Sequence, residues 1–316
     1  MNETAYNALR HGAAWIDLSD RGKIRVTGED RVRLLHAMTT NNIQQLEPSG
    51  GCYAFFLNAQ GRILADVNLF VLPDYILLDT EPDTRQRVME HLDKFIIADD
   101  VTLEDISDQM ATIAIGGRKS DDVLRGLGAP VSRAECGIAE WGARLVACVN
   151  NIGGAGMFVF LPAPEKQQFI AELEQTGVVA ADRESFDLVR LEHHRPRYGV
   201  DFGENWIPQE TQQMQAVHFA KGCYLGQEIV ERVRARSHLN KMLVPLEIDL
   251  EHAPAPQTRI YADGKDAGYI TSAAYSPTLM KVVALGMLRT DAFGKTLTVD
   301  NAAATATNLP AATSKH

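Results

Sequence analysis

The residue best placed by its neighbours to do chemistry is Cys223. It stands in Lys221-Gly222-Cys223-Tyr224-Leu225-Gly226-Gln227-Glu228, between two glycines and close to a lysine. Glycines permit unusual backbone angles and the close approach of a ligand, and a nearby cation favours the nucleophilic thiolate. The plain alternative is a buried turn cysteine. The other three cysteines carry less. Cys52 leads into Tyr53-Ala54-Phe55-Phe56-Leu57 and Cys148 follows Leu145-Val146-Ala147, so both read as small hydrophobes in strands. None of the four, Cys136 included, forms a C-x-x-C pair, which argues against a structural zinc. Glu192-His193-His194 could suggest a metal, but adjacent helical residues point in different directions. A helix end with basic groups near its negative pole accounts for them equally well.

Around Cys223 the charge is unusual. Lys221 to Lys241 contains Lys221, Arg232, Arg234, Arg236 and Lys241 against Glu228 and Glu231, a local surplus of three positive charges in a chain of net charge −10. A solvated charged face and an anion site built from arginine forks remain equal alternatives. The global acidity argues against a protein that coats nucleic acid by bulk charge, so no direct nucleic-acid partner is expected. Neither G-x-G-x-x-G between a strand and a helix nor a P-loop is present. Gly153-Gly154-Ala155-Gly156 reads as a hairpin turn, because no helix follows it.

These residues must be positioned by a chain of 316 residues, enough for about two domains. Hydrophobic residues at 45% and charged residues at 23% are ordinary globular usage. A mean hydropathy of −0.15 and no long apolar run leave no membrane span. Met1 to His11 carries neither an apolar core nor an Arg-rich targeting pattern, which makes the cytoplasm the expected compartment. Strands are expected over Lys23–Val26, Tyr53–Leu57, Ile63–Leu72, Tyr75–Leu78, Val101–Ile106, Ala111–Ile115, Arg144–Val149 and Met157–Leu161. Helices are expected after Asp30, after Asp83, over Asp121–Leu127, from Ala163 to Glu174 and over Arg183–His194. Val200 to Gln215 has little periodicity. From Met242 the texture changes to short β runs separated by turns, which predicts a boundary near Lys241. The chain then divides into 1–240 and a small all-β domain over 241–316, with a frayed Ala- and Thr-rich tail from Asn301. Helices alternating with antiparallel hairpins favour α+β over a doubly wound sheet.

The motif Lys221-Gly222-Cys223-Tyr224-x-Gly226-Gln227-Glu228 resembles the signature of the YgfZ family, folate-binding proteins related to the glycine-cleavage T-protein, an aminomethyltransferase. The resemblance extends along nearly the whole chain. Gly22-Lys23-Ile24-x-Val26-x-Gly28-x-Asp30, Thr40-Asn41-Asn42-Ile43 and Asn58-Ala59-Gln60-Gly61-Arg62-Ile63-Leu64-Ala65-Asp66 are similar to the N-terminal segments of these proteins. So are Arg190-Leu191-Glu192, Tyr198-Gly199-x-Asp201 and Pro208-Gln209-Glu210 further on, and Gly268-Tyr269-Ile270-Thr271-Ser272 and Ala284-Leu285-Gly286 near the end.

The resemblance implies lobes around a central tetrahydrofolate-binding channel, followed by a small β-barrel. It implies tetrahydrofolate as cofactor and iron–sulfur enzymes as clients, with an indirect link to tRNA thiolation. Cys223, Lys221 and Asp66 would be the working groups, and Glu192, Asn58, Tyr198, Gln227 and Arg232 would meet the folate. Glu192 would accept the paired N–H face of the pterin. Cys223 would be a transient ligand or redox thiol, since iron prefers soft thiolates. The second reading is one-carbon transfer between tetrahydrofolate and an amine or carrier, with Asp66 positioning or deprotonating the amine and Glu192 holding the pterin. Where T-proteins usually show two adjacent aspartates, this chain has Ala65 and Asp66, and T-proteins lack the cysteine.

Overall fold

The computed structural model describes residues 1–150, 156–236 and 239–307. The chain opens with α1 (Glu3–His11), β1 (Ala14–Asp17), β2 (Gly22–Thr27), α2 (Arg31–Met38), β3 (Gly51–Leu57), β4 (Ile63–Val71), β5 (Ile76–Thr80), α3 (Arg85–Asp93) and β6 (Thr102–Asp105). It continues through β7 (Met110–Gly116), α4 (Ser120–Gly126), β8 (Ile138–Trp141), β9 (Arg144–Cys148), β10 (Gly156–Pro162), α5 (Lys166–Gln175), β11 (Val179–Ala180) and α6 (Arg183–Glu192). After an irregular stretch come α7 (Gln227–Arg236), β12 (Lys241–Ile248), β13 (Arg259–Ala262), β14 (Lys265–Ser276), β15 (Lys281–Arg289), β16 (Leu297–Val299) and β17 (Ala302–Ala306).

Two antiparallel sheets form the larger part. One has the order β3-β4-β5-β2-β6. Its side chains alternate between faces. Ala54, Phe56, Ala65, Val67 and Leu69 pack with Leu35, Met38, Val88 and Leu92 of α2 and α3. The other sheet, β11-β1-β7-β10-β9-β8, is antiparallel except where β1 pairs with β11. Its Ile113, Ile115 and Val159 pack on Leu124 of α4 and on Phe169 and Leu173 of α5. The remaining faces meet in a third core that contains Phe55, Phe70, Phe158, Phe160 and Phe186 of α6. The fold is therefore mixed α+β, completed by a closed six-stranded barrel in the order β12-β15-β14-β13-β16-β17.

Several elements depart from the sequence reading. A first helix precedes β1, with Asn2 as its N-cap: the Asn2 side chain accepts from the Ala5 N–H. Asn2 N–H also donates to Asp182, tying α1 to α6. The segment from Asn301 does not fray at once. Ala302–Ala306 pairs with β16 and β12 and closes the barrel. Residues 308–316 lie outside the described residues, as do 151–155, which hold most of the expected Gly153-Gly154-Ala155-Gly156 turn. The charged stretch after Gly226 is a helix, α7, whose one buried residue is Val230.

Candidate functional site

A cleft lies where the inner faces of the two sheets approach α6. It is lined by Arg21, Tyr53, Asp66, Asn68, Glu81, Asp187, Arg190, Arg195 and Arg197, with Phe158 and Phe186 as apolar walls. The register explains the cluster. Tyr53 pairs with Asn68 and Phe55 with Asp66 across β3 and β4, so Tyr53, Phe55, Asp66 and Asn68 share one face. Asp79 on β5 lies opposite Asn68 and continues that face. Ala65 points the other way, into the core under α2 and α3. The aspartate retained by this chain is thus the one that faces the cleft.

An ionic network fixes the floor. Arg21 donates Nε and Nη2 to the two oxygens of Asp79, each at 2.8 Å, and Nη1 to Glu81 at 2.7 Å. Asn68 donates to Asp79 at 2.8 Å. The second oxygen of Glu81 accepts from Arg197 at 3.0 and 2.7 Å. Such a buried, planar, bidentate arrangement suits arginine, which stays charged. Burial works against the Glu81 carboxylate, but Arg21 and Arg197 hold it below the usual range.

Asp66 behaves oppositely. Its Oδ2 accepts from the Tyr53 hydroxyl at 2.9 Å, whereas its Oδ1 is shielded from solvent and has no hydrogen-bond partner. Burial pushes the carboxyl up to about 7, helped by the charge on Glu81 and opposed by Arg21. Burial, and then the Asp66 charge, raise the Tyr53 hydroxyl well above its ordinary value. A carboxyl that titrates near neutrality with one open oxygen can accept a hydrogen bond or move a proton.

Of the residues expected to act, only Asp66 reaches this cleft. Glu192 lies outside it. Its Oε1 accepts from Tyr6 and Ser276, each at 2.6 Å, and its Oε2 is held by Arg10. These partners come from α1 and β14, so the carboxylate joins three elements. Asn58 makes the β3–β4 turn: its Oδ1 accepts from the N–H groups of Gln60 and Arg62 at 3.0 and 2.9 Å. Tyr198 donates to the Leu64 carbonyl at 2.6 Å and lies beside Arg87, bracing the back of β4. Arg232 pairs with Glu228 one turn earlier on the exposed face of α7. Gln227 opens α7 with its N–H on the Tyr224 carbonyl.

Cys223 is exposed, whereas Cys136 is buried and Cys52 and Cys148 are half-buried. Lys221, near it in sequence, makes contacts of its own. Its ammonium turns inward, donates to the carbonyls of His36 and of Thr39 (2.6 Å) at the end of α2, and sits 4.8 Å from the Tyr224 ring centroid. Burial lowers it to about 8. The lysine anchors the loop through the negative end of a helix. Gly226 explains the rest of the placement. A Cβ there would stand 2.6 Å from the Asn58 carbonyl oxygen, and one on Gly61 2.8 Å from Ile229 Cβ. The cysteine loop therefore docks backbone to backbone on the tip of the hairpin whose middle carries Tyr53 and Asp66.

The arginines of the cleft escape sequence reasoning because their partners are remote in sequence: Arg21 meets Asp79 and Glu81, and Arg197 meets Glu81. The dense run Arg190, Arg195, Arg197 was the available signal. Among the described residues no group of three His, Cys, Asp or Glu side chains is arranged to hold a metal ion. No helix among them is long and apolar enough to cross a membrane.

Comparison with known proteins agrees with this architecture. Residues 2–221 match the GCVT N-terminal domain and residues 241–314 the glycine cleavage T-protein C-terminal barrel domain. A chloroplastic protein of Arabidopsis thaliana, named only provisionally as a transferase, is 28% identical over 309 residues, 94% of this chain and 71% of that protein. The aminomethyltransferase of Koribacter versatilis is 28% identical over 295 residues, 88% of this chain and 77% of that protein. The crystal structure of aminomethyltransferase T from Bartonella henselae superposes with a TM-score of 0.87 at 19% identity, covering 97% of this chain and 88% of that one.

Proposed function

The chain belongs to the glycine-cleavage T-protein family, and on that premise we propose that it is a tetrahydrofolate-binding accessory protein of the YgfZ type that serves the assembly or repair of iron–sulfur enzymes. The observation that carries the folate part is the Asp66 carboxyl, whose Oδ1 has no hydrogen-bond partner, on the wall of a cleft lined by arginines. The pterin presents paired N–H groups that a carboxylate accepts, and the glutamate tail is anionic. Asp66, held by Tyr53, would take the pterin edge in place of Glu192, and Arg183 and Arg195 at the cleft would favour the tail. When bound, tetrahydrofolate supplies a one-carbon carrier. The chain's own part is to orient it and to hold or release a proton at Asp66.

The accessory role rests on Cys223, an exposed thiol at the end of the same hairpin. One thiolate cannot complete a cluster site, so a client or small thiol must share it. Two measurements test the proposal. Calorimetric titration with tetrahydrofolate should show binding by the wild type and a loss of roughly tenfold or more for Asp66→Asn, the size of a charge-assisted hydrogen bond; equal affinity removes the site. Cells lacking the protein and supplied with Cys223→Ala should fail to restore a cluster-containing tRNA-thiolating enzyme, and full rescue removes the thiol role.

A second reading, aminomethyl transfer, is favoured by the Asp66 carboxyl poised near neutrality and by the names of the relatives. It requires tetrahydrofolate-dependent ammonia release from an aminomethylated lipoyl carrier above a no-protein control.

A further inference from the structure

Asp201 lies in the irregular segment after α6 and is buried. Its Oδ2 accepts from Arg190 Nη1 at 2.8 Å and from the Arg197 backbone N–H at 2.9 Å. Its Oδ1 accepts from the hydroxyls of Thr271, at 2.8 Å, and of Ser272. A carboxylate offers about four lone-pair positions, and here all are used. Two partners belong to residues that line the cleft, and two belong to the barrel.

Adjacent residues of a regular strand point to opposite faces, so Thr271 and Ser272 could not both reach one oxygen. A bulge in β14 removes the obstacle. Ile270 pairs with Gly286 and Ser272 with Leu285, which leaves Thr271 as the extra residue. The alternation flips across it: Ile270 and Ala273 pack in the barrel core, whereas Ala274 packs against the central core. Bulges re-aim side chains in this way. The Thr271 hydroxyl is also 3.0 Å from the Leu285 carbonyl oxygen, so its one proton is shared between two acceptors.

We infer that Asp201 is a positioning residue through which the bulge of the C-terminal barrel sets Arg190 and the Arg197 backbone in the ligand cleft, so that the barrel helps to determine how the ligand is held. Arg197 then carries the constraint to Glu81, on the cleft floor beside Asp66. The inference rests on the cleft being the folate site.

The test compares the intact wild type with Thr271→Val/Ser272→Ala, which loses both hydroxyls, and Thr271→Ser/Ser272→Thr, which keeps them. Each is titrated with tetrahydrofolate well below its own Tm. The Nε–H resonance of Arg190, assigned with Arg190→Lys, is followed without ligand. The first variant should bind roughly 2- to 30-fold more weakly and shift or broaden the arginine resonance, and the second should match the wild type in both. Unchanged affinity and resonance in the first variant overturn the inference. So does an equal loss in the second, because packing rather than the bonds to Asp201 would then be responsible. A wild type that binds no tetrahydrofolate overturns the folate reading instead. The arginine resonance then decides positioning alone, its movement supporting it and its constancy overturning it.

Discussion

The cleft and the cysteine loop stand at the middle and the tip of one hairpin, yet they are built in opposite ways. Around Asp66, the other charged side chains of the cleft are paired: Arg21 with Asp79 and Glu81, Arg197 with Glu81, Arg190 with Asp187 and Asp201. In the loop the reactive side chain is exposed and the cation beside it in sequence is turned inward to hold carbonyl groups. The cleft buries paired charge, and the loop leaves a thiol in solvent. Proximity along the chain does not give the lysine's contacts: Lys221 donates to the His36 and Thr39 carbonyls at the end of α2.

The largest effect that could break this comparison is at Arg21. Arg21→Met would leave Asp79 and Glu81 buried without their principal cation. Removing one partner of a buried pair costs about 3–5 kcal/mol. Urea unfolding should show that loss, and a loss below about 1 kcal/mol would mean that the cleft charges are not matched as described.

Asp66 should give the next largest effect, with a pH signature. Its folded carboxyl is raised from 3.8 to about 7 by burial. The folded state therefore holds a proton that the unfolded chain releases, and stability falls as pH rises from about 4 to 7. Asp66→Asn removes that fall, so the variant should gain on the wild type by on the order of 4 kcal/mol between pH 4 and 8. Urea midpoints across that range measure it, and parallel curves would show that Asp66 ionises normally.

Lys221→Met would separate anchoring from activation. It removes the charged hydrogen bonds to the His36 and Thr39 carbonyls, at a cost of about 1–3 kcal/mol. Loosening the loop should speed labelling of Cys223 by a neutral alkylating reagent, whereas loss of an activating cation would slow it. Tetrahydrofolate affinity should stay unchanged, since Lys221 does not line the cleft.

Much of the architecture was legible in the residues. Apolar runs either side of the Asn58-Ala59-Gln60-Gly61 turn signal mark β3 and β4, and the change of texture after Lys241 marks the barrel strands. Short elements such as β1 and β11 carry too few residues for a period to be read. The site was harder. Asp66 was named through resemblance, and its face follows only once the β3–β4 register is known. Glu192 looked like a ligand group because sequence cannot show that Tyr6, Arg10 and Ser276, distant along the chain, already occupy its oxygens. The cationic run near Cys223 was a true observation whose solvated reading fits the geometry: Arg232 pairs with Glu228, and Arg234 lies over the Phe219 ring.

The smallest effect tests that last point. Arg232 and Glu228 are one turn apart on an exposed helix, where such a pair contributes roughly 0.3–0.5 kcal/mol and salt screens it. Arg232→Ala should lower the unfolding free energy by no more than that and leave tetrahydrofolate affinity as it was. If affinity instead fell tenfold, the folate tail would reach α7. The cleft and the loop would then be two ends of one binding surface, and the division between a binding middle and a presenting tip would have to be abandoned.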